Sequence, residues 1–197
     1  MAYPFIESES ELRQISSRLH RIVDPSSSLP DWPFIPVEGE VDICEDVEFS
    51  GDDFAVALAE IAKVHRDKSL YFVTLDGGDM RPCFSLAVEE IPRGYRAAVG
   101  HEPVEELNGG SIRDAVTIFA IFGDSTKWAV WGDRNWEVLV VYSPEVRRPW
   151  RDATELEFVT AARAVDDLWP DVVRSGFREE TIQRFISTMD EPRFRSR

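Results

Sequence analysis

Apolar residues recur at spacings of three and four in four stretches of the chain, which is the pattern of a helix with one buried face. The four stripes are Leu12, Ile15, Leu19 and Ile22; Phe54, Leu58, Ile61 and His65; Leu156, Val159, Ala162, Val165 and Trp169; and Ile182, Phe185, Ile186 and Met189. They predict helices over residues 9–23, from about 53 to 66, over 153–169 and around 182–189. The first helix has a capping box in Ser8-Glu-Ser-Glu11, and the second begins with acidic residues, which suit a helix N-terminus.

Runs rich in β-branched and aromatic residues predict strands that pair in two hairpins. Residues 70–75 and 82–88 flank the turn sequence Asp76-Gly-Gly-Asp79, and residues 126–131 and 136–142 flank Gly132-Asp-Arg-Asn135. A further strand is expected over 95–99. Residues 111–122 suit a helix that Gly123 would stop, which we favour, although their apolar residues suit a strand equally well.

Residues 37–49 alternate between apolar and acidic positions with a period of two. The apolar positions are Val41, Ile43, Val47 and Phe49, and most of the others are acidic. The pattern predicts a strand, bulged or broken near Glu45, whose outer face presents carboxylates about 7 Å apart. Repulsion along such a row destabilises the strand unless water, cations or a partner screens it.

The order of these elements is typical of a single α+β domain over residues 1–197, with a mainly antiparallel sheet and helices packed on it. Four prolines lie within residues 24–36, which are expected to form a loop or extended arm that Trp32 and Phe34 hold against the body. The basic residues 193–197 are expected to fray.

Composition supports this fold class and narrows the choice of partners. The chain has 197 residues, of which 43% are hydrophobic and 11% aromatic, enough for a core without metal or disulfide support. Its formal charge is −15, which repels nucleic-acid phosphate. Residues 1–60 contain 14 acidic and 3 basic side chains, and residues 38–53 contain 8 acidic and no basic ones. We therefore expect no nucleic-acid partner, and a basic protein surface fits best.

Targeting and cysteine signals are consistent with a cytoplasmic protein. The first residues lack the pattern of a basic segment followed by an apolar one, and no apolar run approaches the ~20 residues that span a bilayer. The two cysteines, Cys44 and Cys83, form no paired motif, so no disulfide framework is implied. We expect no membrane association. The oligomeric state stays open.

Motifs that would indicate catalysis or cofactor binding are absent from the sequence. His20, His65 and His101 lie far apart and have no neighbouring metal-ligand pattern, so neither a metal nor another cofactor is expected. The chain has no nucleophile elbow, P-loop or dinucleotide-binding glycine pattern. No residue is assigned as catalytic, although an enzyme of unrecognised type stays open as an alternative.

One segment, Phe119 to Tyr142, resembles part of a group of small bacterial proteins, some of which are proposed to be immunity proteins of toxin systems. The resemblance rests on a Gly, a small polar pair, Trp128-Ala-Val-Trp131, Arg134, and Glu137 leading into an apolar strand. It implies an inhibitory binding role and assigns no catalytic residue. From the residues alone, the tryptophans could form either core packing or a broad aromatic surface, and Arg134 is expected to pair with Glu137.

These observations predict a non-catalytic acidic binding protein, most specifically an immunity-type inhibitor that docks on a basic partner such as a toxin. The expected partner-binding residues are Glu40, Asp42, Asp46, Glu48, Asp52 and Asp53. Two alternatives stay open. The acidic residues could simply form a solvated face, or the chain could be a regulatory domain that binds a small molecule.

Overall fold

A six-stranded, wholly antiparallel sheet lies at the centre of the fold. The computed structural model describes residues 5–36, 38–76, 80–102, 104–145, 148–169 and 171–191. The strands are β1 (Glu40–Glu45), β2 (Ser69–Thr74), β3 (Cys83–Ala87), β4 (Ile118–Gly123), β5 (Ala129–Asp133) and β6 (Val138–Ser143). Their order across the sheet is β1-β6-β5-β4-β2-β3, so β1 and β3 are the edge strands.

Helices cover both faces of this sheet. They are α1 (Glu9–Leu19), α2 (Asp52–His65), α3 (Ile91–Val99), α4 (Ile112–Ala115), α5 (Ala161–Arg163), α6 (Asp171–Gly176) and α7 (Glu179–Asp190). Buried residues of α2 and α3 pack on one face, and those of α1, α5 and α7 pack on the other. The chain is therefore an α+β domain with an antiparallel sheet and helices packed on it, as predicted.

Aromatic rings fill both layers of the core. On the α2 and α3 side, the ring of Phe72 stacks on those of Phe84 and Phe119, with 5.0 Å between centroids in each case. On the other side, Trp136 stacks on Phe177 at 4.3 Å. Because both faces of the sheet are covered, β4, β5 and β6 are buried at almost every position and are mainly apolar, without the alternation of a strand that has one exposed face.

Several local predictions are confirmed. Helices α1, α2 and α7 lie where the stripes place them, although α1 ends at Leu19. The pairs β2–β3 and β5–β6 are the two predicted hairpins. The proline-rich arm packs on the body, since Phe34 is buried and stacks on Tyr142 at 5.0 Å. Residues 77–79 of the first turn and the tail at 193–197 lie outside the described residues.

Three local predictions are wrong. Residues 95–99 are not a strand but the second half of helix α3. This helix begins at Ile91, with Pro92 in its first turn, so its start lies before the predicted strand. Residues 112–115 form one helical turn, and the apolar run after it is strand β4, placed between β2 and β5. Helix formation in 153–169 begins only at Ala161 and passes into a π turn, Ala164–Leu168.

Each edge strand is partly covered by a segment from outside the sheet. Val159 forms an isolated bridge with Ile43 of β1, with backbone N–H···O distances of 3.0 and 2.8 Å. Phe5 bridges Phe84 of β3. The bridge on β1 explains why Val159 is not helical. It also brings the acidic residues that precede Val159 next to the acidic segment that follows β1.

Candidate functional site

The acidic segment at residues 38–53 is divided among three elements and does not form one strand. Strand β1 ends at Glu45, a 3-10 turn runs from Asp46 to Ser50, and α2 begins at Asp52. The break near Glu45 is as predicted, but the single exposed row of carboxylates is wrong. Asp42 is wholly buried and Asp46 is 5% exposed, so neither belongs to an outer face.

Asp42 is held by three side chains from the loop that follows β6. The guanidinium groups of Arg148 and Arg151 both donate to its Oδ1, and the indole Nε1 of Trp150 donates to Oδ2 at 3.3 Å. Arg148 also pairs with Glu40 at 2.8 Å. A buried carboxylate needs such partners because it has lost its hydration. Asp42 and Glu40 therefore anchor the 148–151 loop against β1.

Asp46 has a similar internal role. Its Oδ2 lies 3.3 Å from Nε of Arg134, whose Nη1 also donates to the backbone carbonyl groups of Arg113 and Val116 at 3.0 and 3.3 Å. The expected pairing of Arg134 with Glu137 is wrong, because the guanidinium is directed to Asp46 and to these carbonyls. This contact ties the 3-10 turn after β1 to the turn between β5 and β6.

Three other acidic residues of the segment, Glu45, Glu48 and Asp53, meet a second acidic stretch in a cleft of about 500 Å3 at the β1 edge. We call this the acidic cleft, and its lining residues are Cys44, Glu45, Glu48, Asp53, Glu155, Leu156, Glu157, Asp167 and Leu168. Six of these nine side chains are carboxylates. Glu48 and Asp53 come from the predicted set, whereas Asp52 pairs with Arg96 at 3.1 Å.

Charge in the acidic cleft is only partly neutralised. Arg163 lies 2.7 Å from Glu157 and 2.9 Å from Asp167. Over the described ranges, no Lys or Arg is within ion-pair distance of the other four carboxylates, Glu45, Glu48, Asp53 and Glu155. Burial, reinforced by the negative charges of Glu48 and Asp46, raises the pKa of Glu45. The acidic cleft therefore brings together carboxylates whose negative charges repel one another.

Four of the six carboxylates in the acidic cleft were not among the predicted binding residues. The sequence pattern places Glu45 at a break in the strand, and it places Glu155, Glu157 and Asp167 in a predicted helix. About 100 residues separate the two acidic stretches, and the bridge between Ile43 and Val159 helps to bring them together. For Glu155 and Glu157, the signal in the sequence is that three of the six residues at 152–157 are acidic.

The two cysteines and His65 are buried and belong to the interior of the fold. Cys44 and Cys83 are free and buried, and burial raises the pKa of each thiol, so neither is an activated nucleophile. His65 is buried with Nε2 at 3.1 Å from Oγ of Ser143, and burial lowers its pKa. Within the part of the chain that the structure describes, no group of three or more His, Cys, Asp or Glu is arranged to hold a metal ion.

The tryptophans of the β5–β6 hairpin are core residues. Trp128 and Trp131 have no exposed surface, and Trp136 is 6% exposed. The aromatic-surface interpretation of this segment is therefore wrong. Among the described helices, none combines the length and the apolar composition needed to cross a bilayer.

Comparison with known proteins identifies no family and no relative for this chain. No protein-family model matches the chain, and no curated protein or solved structure matches it significantly. The resemblance of residues 119–142 to immunity proteins therefore stays a prediction.

Proposed function

We propose that the chain is a non-catalytic binding protein that docks a basic protein partner in the acidic cleft. The observation that carries the proposal is the group of four carboxylates in one cleft, Glu45, Glu48, Asp53 and Glu155. Among the described residues, no Lys or Arg lies within ion-pair distance of these four, and Arg163 pairs with the other two carboxylates. Lysine or arginine side chains of a partner would supply the missing counter-charges and relieve the repulsion within the group.

The shape and lining of the acidic cleft suit a protein side chain better than a compact apolar ligand. Small-molecule sites are mostly lined by apolar residues with a few polar groups, whereas here six of nine lining residues are acidic. Leu156 and Leu168 provide apolar surface beside the carboxylates. The aliphatic stem of a lysine or arginine can pack on such surface while its charged end reaches the carboxylates.

The net charge of −15 adds a long-range component to this recognition. A field of one sign raises the association rate with an oppositely charged partner, and this effect weakens as salt is added. Toxins that act on anionic targets such as nucleic acid or membranes are themselves basic, so an immunity-type inhibitor is the most specific form of the proposal. Such a protein would block the partner by occlusion, without chemistry.

Co-purification from the native cells tests the proposal with two matched variants. E48Q/D53N removes two charges from the acidic cleft, and E89Q/E90Q removes two exposed charges at the end of β3, on the opposite edge of the sheet. We expect wild type and E89Q/E90Q to retain one basic protein at low salt and release it at high salt. E48Q/D53N should lose it, and its association with the purified partner should be slower and less dependent on salt.

Two results would overturn the proposal. Equal recovery of the partner by both variants would remove the acidic cleft from the interface. Recovery of the chain alone at every salt concentration would move the assignment towards a small ligand or an enzyme of unrecognised type.

A further inference from the structure

The outward face of α1 is a basic surface on this acidic protein. It is formed by Ser10, Arg13, Gln14, Ser17 and Arg18 of α1 and by Arg21, which lies in the turn after the helix. These residues line a shallow groove of about 520 Å3, and we call it the arginine face. The three arginines are the only basic residues among the first 60. Their positions, together with Ser10, Gln14 and Ser17, follow the three- and four-residue spacing of one helical stripe, opposite the buried stripe of Leu12, Ile15 and Leu19.

Every side chain that lines the arginine face can donate hydrogen bonds, and none carries a negative charge. Arg18 is held in place, because its guanidinium donates to the hydroxyl of Tyr71 and lies 5.3 Å from the centre of that ring. Arg13 and Arg21 are exposed, and neither forms an ion pair with a described acidic residue. Among the arginines that the structure describes, nine form ion pairs with described carboxylates and six do not, and three of those six lie together on the arginine face.

We propose that the arginine face binds an acidic segment of a partner protein, on a surface separate from the acidic cleft. At 3.6 residues per turn and a rise of 1.5 Å per residue, Arg13 and Arg18 lie about 140° apart around the axis and about 7.5 Å apart along it, so they stand at the two sides of the arginine face. A peptide segment that carries several carboxylates can contact arginines on both sides at once.

Other anionic surfaces fit less well. Duplex nucleic acid carries one charge per roughly 1.7 Å, and a chain of net charge −15 repels it strongly. A membrane-surface helix needs exposed apolar anchors beside its basic residues, and Ile35 is the one large hydrophobic residue that is well exposed among those the structure describes. A protein segment with a few carboxylates carries less negative charge than duplex nucleic acid or an anionic membrane, so the acidic chain repels it less strongly at long range.

A direct binding measurement tests the proposal. The probe is a fluorescein-labelled peptide with alternating Glu and Ser, and the readout is fluorescence anisotropy at 50 and 150 mM salt. R13Q/R21Q removes two charges from the arginine face, and R93Q/R178Q removes two charges from exposed arginines on other helices and connections. We expect Kd to rise about fivefold to tenfold for R13Q/R21Q and to stay within twofold for R93Q/R178Q.

Each of the following results would overturn the proposal. Absence of binding at 50 mM salt, or equal weakening in the two variants, would show that the arginine face has no specific role. Tighter binding of an oligothymidylate or of phosphatidylserine vesicles than of the peptide would assign a different class of ligand. Concentration-dependent self-association that R13Q/R21Q abolishes would identify a second copy of this chain as the occupant. Thermal unfolding of both variants checks that they remain folded.

Discussion

Asp42 and Glu48 lie six residues apart in one acidic segment, yet the structure predicts opposite effects when their charges are removed. Asp42 is wholly buried and holds two arginines and a tryptophan, whereas Glu48 lines the acidic cleft with no basic neighbour in the described ranges. The substitutions D42N and E48Q each remove one negative charge and keep the shape of the side chain. Only the first should destabilise the fold.

The size of the effect follows from the partners of Asp42. The side chain of Arg148 is 9% exposed, so D42N leaves a largely buried cation with one remaining partner, the exposed Glu40. Breaking a buried ion pair costs about 3–5 kcal/mol, and the contact with Glu40 places the expected loss near 3 kcal/mol. For a chain of this size, that loss lowers Tm by roughly 6–12 °C. E48Q should change the free energy of unfolding by less than about 0.5 kcal/mol.

Urea unfolding followed by tryptophan fluorescence measures both variants, with the m-value as a check that the unfolded states are comparable. The variant R148M and the double variant D42N/R148M complete a thermodynamic cycle, which isolates the coupling between the two side chains. A loss below about 1 kcal/mol for D42N, or no coupling with Arg148, would refute the role of this pair as an anchor. Equal losses for D42N and E48Q would refute the distinction between anchor and binding residues.

Two further predictions concern other buried carboxyl groups. Burial raises the pKa of Asp133 from 3.8 to about 6, so this residue destabilises the fold progressively as the pH rises from about 4 to 6. D133N should therefore be as stable as the wild type at pH 4 and more stable by about 1–3 kcal/mol at pH 7. Urea unfolding at several pH values measures the difference, and a variant that is less stable than the wild type at pH 7 would contradict the prediction. A Cβ at Gly123 would collide with the carboxylate of Asp67. That carboxylate accepts at Oδ2 from Nε1 of Trp128 at 2.6 Å and at Oδ1 from the backbone N–H of Ser125 at 2.5 Å. G123A should displace Asp67 and lower the free energy of unfolding by about 2–4 kcal/mol. In a D67A background, G123A should lower it by much less. Urea unfolding measures all three variants, and additive losses would show that the two side chains do not clash.

Local patterns in the sequence determined the parts of the fold that depend on one buried face. Helices α1, α2 and α7 each have an apolar stripe with polar residues on the other side, so periodicity identified them. The two hairpins have turn residues between β-rich runs. Composition and the order of these elements were sufficient for the α+β class.

Periodicity failed where an element is buried on more than one side or is fixed by a distant contact. Strand β4 is apolar at almost every position because helices cover both faces of the sheet, so its sequence suits a helix equally well. Val159 lies on a helical stripe, but its backbone pairs with Ile43 of β1. In both cases the deciding interaction joins residues far apart in the chain.

The acidic segment shows the same division between sequence and tertiary structure. Its high density of carboxylates was evident from the sequence, and so was the expectation that they need partners. Only the fold decided that Asp42 and Asp46 obtain those partners from arginines of the chain itself, while Glu48 and Asp53 meet Glu155 in the acidic cleft. A carboxylate is an anchor or a docking group according to what surrounds it in space, because burial and the nearest opposite charge determine the free energy of its ionised form.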